Sequence, residues 1–291
     1  MHLEISKAGV LIEAIPYIRR FAGSIVVVKY GGSAMVDEEL KRSVIEDIAM
    51  LKYIGLKPVV VHGGGKEISS LLKQLGKESI FIDGLRVTDS ETARYAEMVL
   101  SGSISKELVD SLESVGIKAV GISGKDGRML TCSKKLDERG RDLGFVGQIE
   151  RVDTALLETL LSNNFVPVIS PVGVDEASNT YNINADYAAS AIAGALNAQK
   201  LIFLTDVEGI LKDKDDPSTI LRSLSRNQAL AYIADGTIKG GMIPKVQCCL
   251  DGLDKGVESV HVLDGRLPHA ILLEIFTTEG IGTMVTGEEL P

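Results

Sequence analysis

Lys29 ends the run Ile25-Val26-Val27-Val28 and is followed by Tyr30-Gly31-Gly32. A strand of continuous β-branched residues is buried on both faces. A lysine at its carboxyl end therefore reads as a ligand for an anion, phosphate above all. A second such strand, Pro58-Val59-Val60-Val61-His62, breaks at Gly63-Gly64-Gly65. Glycine lets backbone N–H groups come close to an anion, and a helix opening after the turn adds partial positive charge. Two such turns on neighbouring strands share one crevice at the C-terminal edge of an α/β sheet.

Further along, Asn182-Ile183-Asn184-Ala185-Asp186 leads into an alanine-rich helix over 187–196. Asn184 reads as the N-cap, which puts Asp186 in the first turn, where the dipole keeps a carboxylate ionised. Such a group is a poor general base and a good anchor for ammonium groups. Capping alone would explain Asn184 and Asp186, but it has no need of Asn182. Gly240-Gly241-Met242-Ile243-Pro244-Lys245 combines a glycine turn, a proline suited to a first helical turn and a lysine, which alone would pass for a surface residue. Asp206, in Leu204-Thr205-Asp206-Val207-Glu208-Gly209-Ile210, stands at a strand end, as a ribose or magnesium contact or as a simple turn-former. Arg86, in Asp83-Gly84-Leu85-Arg86-Val87-Thr88, is either a bidentate grip on a carboxylate or a surface strand residue.

The elements that must position these groups follow the βαβ pattern of a parallel sheet. Strands are expected at 25–28, 58–62, 115–123, 166–170, 201–205 and 259–263, with a hairpin within 133–149. Helices are expected at 8–21, 38–54, after the glycines to 75, and at 92–114, 153–162, 185–197, 226–235 and 243–254. The chain has 291 residues, is 45% hydrophobic and only 4% aromatic, and lacks Trp, so Val, Ile, Leu and Ala must build its core. A lobe boundary is expected near 198–200, dividing the chain into a helix at 1–22, a first lobe at 23–198 and a second at 199–291.

The two common nucleotide fingerprints are absent: Gly65-Lys66, Gly76-Lys77 and Gly124-Lys125 run on into Glu, Glu and Asp, and no G-x-G-x-x-G occurs. A net charge of −9 without any basic block argues against nucleic acid. Cys132, Cys248 and Cys249 form no C-x-x-C, so neither a zinc site nor a redox pair is expected, and no protein metal site is predicted. No apolar run reaches membrane-spanning length and the N-terminus has no signal pattern, so a cytoplasmic protein with no membrane partner is expected.

KYGGSAM, VHGGGKEI, GLRVT, NINADYAA, TDVEGIL and GGMIPKV stand here in the order found in the amino-acid kinase family, over about residues 23–285. Within it the chain most resembles the branch that phosphorylates N-acetyl-L-glutamate in arginine synthesis. VHGGG, then GLRVT, then N-x-N-A-D separate that branch from the aspartate, carbamate and uridylate kinases. The resemblance implies an open three-layer αβα sandwich with a mainly parallel sheet and two lobes. The first lobe would hold acetylglutamate and the second MgATP, with Mg²⁺ held mainly by the nucleotide phosphates. Carried over, Lys29 and Lys245 stabilise the transferring phosphoryl group, Asp186 holds both ammonium groups, and Gly31, Gly32 and Gly64 donate N–H bonds to phosphate. Gly64, Gly65, Arg86 and Asn182 hold the acid. Asp206, Val207, Glu208, Gly209, Ile210 and Leu211, with the stretch from Thr237 through Ile238, Lys239, Gly240 and Gly241 to Met242, line the nucleotide.

The chain ends resemble the arginine-inhibited members, whose N-terminal helices interlace three dimers into a hexamer. The match implies L-arginine as inhibitor, with Tyr17, Lys212, His269, Glu279 and Gly282 as its candidate ligands and Glu279 meeting the guanidinium. A PII-type signalling protein is a further implied partner. An ordinary dimer whose helix packs on itself stays open, as do a related aminoadipate-type or carrier-linked substrate and a non-catalytic arginine sensor.

Overall fold

A computed structural model describes residues 12, 14–35, 37–137, 139–213, 216–277 and 280–288. The first strands are β1 (Ile25–Tyr30), β2 (Lys57–His62), the short pair β3 (Phe81–Ile82) and β4 (Leu85–Arg86), and β5 (Ala119–Ser123). They are followed by β6 (Leu130–Leu136), β7 (Asp142–Val152), β8 (Val166–Ser170), β9 (Val172–Val174) and β10 (Thr180–Asn182). The last are β11 (Lys200–Thr205), β12 (Ser223–Ser225), β13 (Ser259–Asp264) and β14 (Thr283–Thr286). Helix α1 runs over 14–21. It is followed by α2 (Glu38–Tyr53), α3 (Gly65–Gln74), α4 (Ser90–Glu97), α5 (Ser105–Ser114) and α6 (Ala155–Ser162). Then come α7 (Ala185–Ala195), α8 (Arg226–Ala234), α9 (Met242–Asp254) and α10 (Ala270–Phe276).

One eight-stranded sheet runs in the order β12-β14-β13-β11-β1-β2-β8-β5. The strands from β13 to β5 are parallel, whereas β14 runs antiparallel to β13. The β1 strand lies between β2 and β11, with Lys29 opposite Val61 and Phe203.

Strand alternation sorts the β1 side chains between two buried layers. Val26, Val28 and Tyr30 pack with α2, α5 and α10 residues such as Ile48, Leu112 and Ile271. Val27 packs on the other face with Ala188, Ala189 and Ile192 of α7 and Val246 and Leu250 of α9. The result is the expected αβα sandwich. Lys29 shares the Val27 face by parity, so its amine reaches toward α7 and α9. The small side chains of α7 let that helix lie close against β1, which shortens the reach.

The expected helix over 92–114 is α4 and α5 joined by a π-helical stretch, Met98–Ile104. The β5 strand starts at Ala119 rather than 115, because Val115 caps α5 and Gly116 turns the chain at φ 83°. The expected hairpin within 133–149 is β6 and β7, which are longer and close with β9 and β10 into a small second sheet. Among the described residues no helix is long and apolar enough to cross a membrane.

Candidate active site

Asp186 joins two lysines that are far apart in sequence. Its Oδ1 lies 3.0 Å from Lys29 Nζ and its Oδ2 lies 3.2 Å from Lys245 Nζ. Lys29 comes from the end of β1, Asp186 from the first turn of α7 and Lys245 from the first turn of α9. Asn184 caps α7 as expected: its Oδ1 accepts from the Asp186 and Tyr187 N–H groups. Burial pushes the Asp186 carboxyl up, but the charges and hydrogen bonds of Lys29 and Lys245 outweigh it and hold its pKa below the ordinary value. The three side chains keep 13 to 19% exposure, so both ammonium groups border a cleft rather than a sealed core.

The two glycine turns meet beside them. A Cβ on Gly31 would lie 2.9 Å from Lys29 Nζ, and one on Gly63 would lie 3.7 Å from Gly31 Cα. A Cβ on Gly32, which sits at φ 73°, would come 2.5 Å from Asp206 Oδ1. A Cβ on Gly64 would collide with Ile104 and come within 2.6 Å of Leu100, both in the π-helical stretch. A side chain is therefore disfavoured at Gly32 by its left-handed backbone and at Gly64 by the packed Ile104 and Leu100.

Gly63, Gly64 and Gly65 also line a pocket with Arg86, Asn182 and Phe81. Arg86 is buried, 6% exposed, which removes the surface-strand reading. Its guanidinium donates to Ser79 Oγ at 2.6 Å, to the Gly65 carbonyl at 2.7 Å and to Ser69 Oγ at 2.9 Å, and stacks on the Phe81 ring. Three of its roughly five N–H groups are thereby used, leaving donors for a ligand. Asn182 Nδ2 donates to Thr88 Oγ1. A second pocket, with Asp186, Lys245, Gly240 and Gly241 in its wall, adjoins the ion-paired cluster.

Asp206 follows directly on β11 and stands at Gly32, on the β1 turn. Ile210 and Ile238 are core residues, 0% and 2% exposed, so only their backbone can serve a ligand. Gly209 lies at φ 155°, where a side chain would strike Thr283, and the Ile210 N–H is held by Thr283 Oγ1. Leu211 bridges Ile220. Among the described residues no group of three or more His, Cys, Asp or Glu side chains is arranged to hold a metal.

At the chain ends the structure separates the expected group. Tyr17 stacks edge-on against Phe276 and lines a cleft with Lys200, His261, Glu274 and Gly280. His269 does not face that cleft: at the start of α10, in the left-handed conformation at φ 56°, its Nδ1 bonds Asp47 of α2, in the same helical layer, at 2.7 Å. Lys212 is in the loop after β11, its N–H held by the Thr219 carbonyl, and does not line the cleft. Glu279 is outside the described residues. The Gly282 N–H donates to Glu274 Oε2 at 3.1 Å.

The same cleft holds Lys200, His261 and Glu274, which sequence reading did not single out. His261 bridges Glu274 Oε1 at 2.7 Å and Lys200 Nζ at 3.0 Å. Burial opposes the Glu274 charge, yet hydrogen bonds from His261, Ile281 and Gly282 bring its pKa down to about 2, while burial brings Lys200 down to about 8. Strand parity was the available signal, since His261 must face away from Val260 and Val262, toward α10.

The model of the amino acid kinase family matches residues 24–264, and the chain belongs to that family. Among curated relatives it is 52% identical over 286 residues to the acetylglutamate kinase of Symbiobacterium thermophilum, covering 97% of this chain and 98% of that one. It is 54% identical over 290 residues to the acetylglutamate kinase of Syntrophobacter fumaroxidans, covering 97% and 96%. The N-acetylglutamate synthase of Neisseria gonorrhoeae, solved with coenzyme A and N-acetyl-glutamate, superposes with a TM-score of 0.84 at 27% identity. That match covers 97% of this chain and 64% of the synthase.

Proposed function

We propose that this chain is an acetylglutamate kinase: it transfers the γ-phosphoryl group of ATP to the side-chain carboxylate of N-acetyl-L-glutamate, forming N-acetyl-L-glutamyl 5-phosphate for arginine synthesis. One observation carries the reading, namely a single carboxylate gripping two lysines where two glycine turns meet an arginine-lined pocket.

The chemistry needs no general base, because a carboxylate nucleophile is already ionised at neutral pH. The obstacle is repulsion between two anions. Two unit charges about 4 Å apart repel by about 4 kcal/mol at an effective dielectric of about 20. Lys29 and Lys245, fixed by Asp186, place positive charge on the phosphoryl group as it passes, and Gly31, Gly32 and Gly64 offer N–H groups to its oxygens. MgATP is the second substrate, its ion carried by the phosphates, and the loop from Asp206 to Leu211 with Ile238–Met242 lines the nucleotide side. The acid lies in residues 23–198 and the nucleotide in 199–291, and the phosphoryl group crosses between them.

The deciding experiment traps the acyl phosphate with hydroxylamine. Acetylglutamate and MgATP yield the hydroxamate, and ATP consumed without hydroxamate excludes this chemistry. Acetylaminoadipate in the same assay separates the longer-substrate alternative. Arg86→Ala removes the charged donor of the acid pocket, so KM for acetylglutamate should rise about 10- to 100-fold, the value of a charged hydrogen bond. An unchanged KM excludes Arg86 as the anchor.

Arginine is proposed as a feedback inhibitor at the cleft between α1 and the C-terminal segment, which Tyr17 and Glu274 line, with Glu279 meeting the guanidinium. Ile12, just ahead of α1, and Ile15, within it, are 65% and 47% exposed, which favours an apolar partner such as a second copy in a hexamer. Deleting residues 1–20 should leave a dimer with weakened arginine inhibition. A truncated protein that stays hexameric in light scattering removes α1 from the assembly.

A further inference from the structure

His62 has no role in the chemistry above, yet it is fully buried directly behind the second glycine turn. By parity with Val60 it faces the layer of α3 and α5, away from Lys29 and Asp186. Its Nδ1 lies 2.8 Å from the Gly63 carbonyl oxygen and its Nε2 lies 3.0 Å from Ser170 Oγ, also fully buried. Ser170 Oγ is in turn 3.2 Å from the Leu100 carbonyl, which already accepts the Ser105 N–H at the end of the π-helical stretch.

The carbonyl contact decides which ring nitrogen carries the proton. A carbonyl oxygen only accepts, so Nδ1 must carry the hydrogen that meets Gly63. Burial lowers the His62 pKa to about 4, so the ring is neutral and Nε2 is bare. The bare Nε2, 3.0 Å from Ser170 Oγ, is then an acceptor for the Ser170 hydroxyl, which also has the Leu100 carbonyl within donating reach at 3.2 Å.

The consequence falls on the next peptide. In a trans peptide the C=O and the following N–H point opposite ways, and the Gly63–Gly64 bond is trans. Holding the Gly63 carbonyl inward on His62 turns the Gly64 N–H outward to the pocket that Gly63, Gly64 and Gly65 line. That N–H has no hydrogen-bond partner among the described residues. We propose that His62, its tautomer fixed by the Gly63 carbonyl and its ring held in place by Ser170, is a positioning residue that keeps the Gly64 N–H aimed at the transferring phosphoryl group. The inference rests on the kinase reading above and adds to it the residue pair that preorganises one of its donors.

Three measurements test it. His62→Leu removes the Nδ1 donor, and kcat should fall about 10²-fold, the cost of one misaimed oxyanion donor, with KM for acetylglutamate within about threefold. His62→Asn keeps a donor near the Nδ1 position and should stay within about fivefold of wild type in kcat. A folded Leu variant with wild-type kcat overturns the proposal, as does an Asn variant that falls as far as the Leu one. Nitrogen NMR of ring-labelled histidine in the unaltered protein needs no variant to fold. It should show His62 with Nδ1 protonated and Nε2 bare from about pH 5 to 8, and the opposite tautomer overturns the proposal. If the kinase reading itself were at fault, wild type would give no hydroxamate. If only this inference fails, wild type and the Leu variant give it equally.

Discussion

Lys29→Met should lower kcat by about 10³-fold while the protein stays folded. Methionine has similar length and matches the apolar walls of β1, whose neighbours Val61 and Phe203 are fully buried. The fold therefore tolerates the change. The site does not, because one of its two ammonium groups is gone where charge develops in transfer, and removing a single preorganised donor costs about 10²- to 10³-fold. Losing a full charge sits at the upper end. KM for ATP should move far less than kcat, since Lys245 and the glycine N–H groups remain. Circular dichroism and steady-state kinetics check both halves, and wild-type turnover in the variant takes Lys29 out of the mechanism.

The second large effect is expected at Asp186. Asp186→Asn keeps size and spares the helix start, because Asn184, not Asp186, caps α7. It leaves two ammonium groups facing each other without their shared anion. Two like charges about 5 Å apart repel by about 3 kcal/mol at an effective dielectric of about 20. The lysines should swing apart and kcat should fall about 10²- to 10³-fold. Stability should drop as well, and the drop has a defined pH dependence. The folded pKa of Asp186 lies below the ordinary 3.8. A depressed carboxylate stabilises the fold fully above its unfolded pKa and loses that contribution as pH falls through the folded one. The Tm gap between wild type and Asp186→Asn should therefore be constant near neutrality and close below about pH 4. A gap that widens on acidification contradicts the ion-pair geometry.

How much of this was legible in the sequence depended on whether a signal was local. Lys29 stood out because a charge ended a strand otherwise built from Ile and Val, and the Asn184 cap because N-caps are read within four residues. The bridge from Asp186 to Lys245 spans 59 residues and joins two helices, so no local pattern contains it; the family resemblance supplied it. Arg86 looked like an even choice between surface and pocket, since the serines that bury it, Ser69 and Ser79, are recognisable only once α3 and β4 are packed. In the C-terminal segment two histidines lie eight residues apart, and resemblance selected His269. The structure instead ties His269 to Asp47 and turns His261 to Glu274. The π-helical stretch was invisible because its composition differs little from that of an ordinary helix. Its effect, a close wall of Leu100 and Ile104 behind Gly64, is purely tertiary.

The most direct test of the paired-lysine mechanism is a crystal structure with N-acetyl-L-glutamate, MgADP and a planar fluoride mimic of the phosphoryl group. The expected result has Lys29 Nζ and Lys245 Nζ both within about 3 Å of the mimic's ligands, with Asp186 still touching each amine. A mimic bound with either lysine turned away would contradict it.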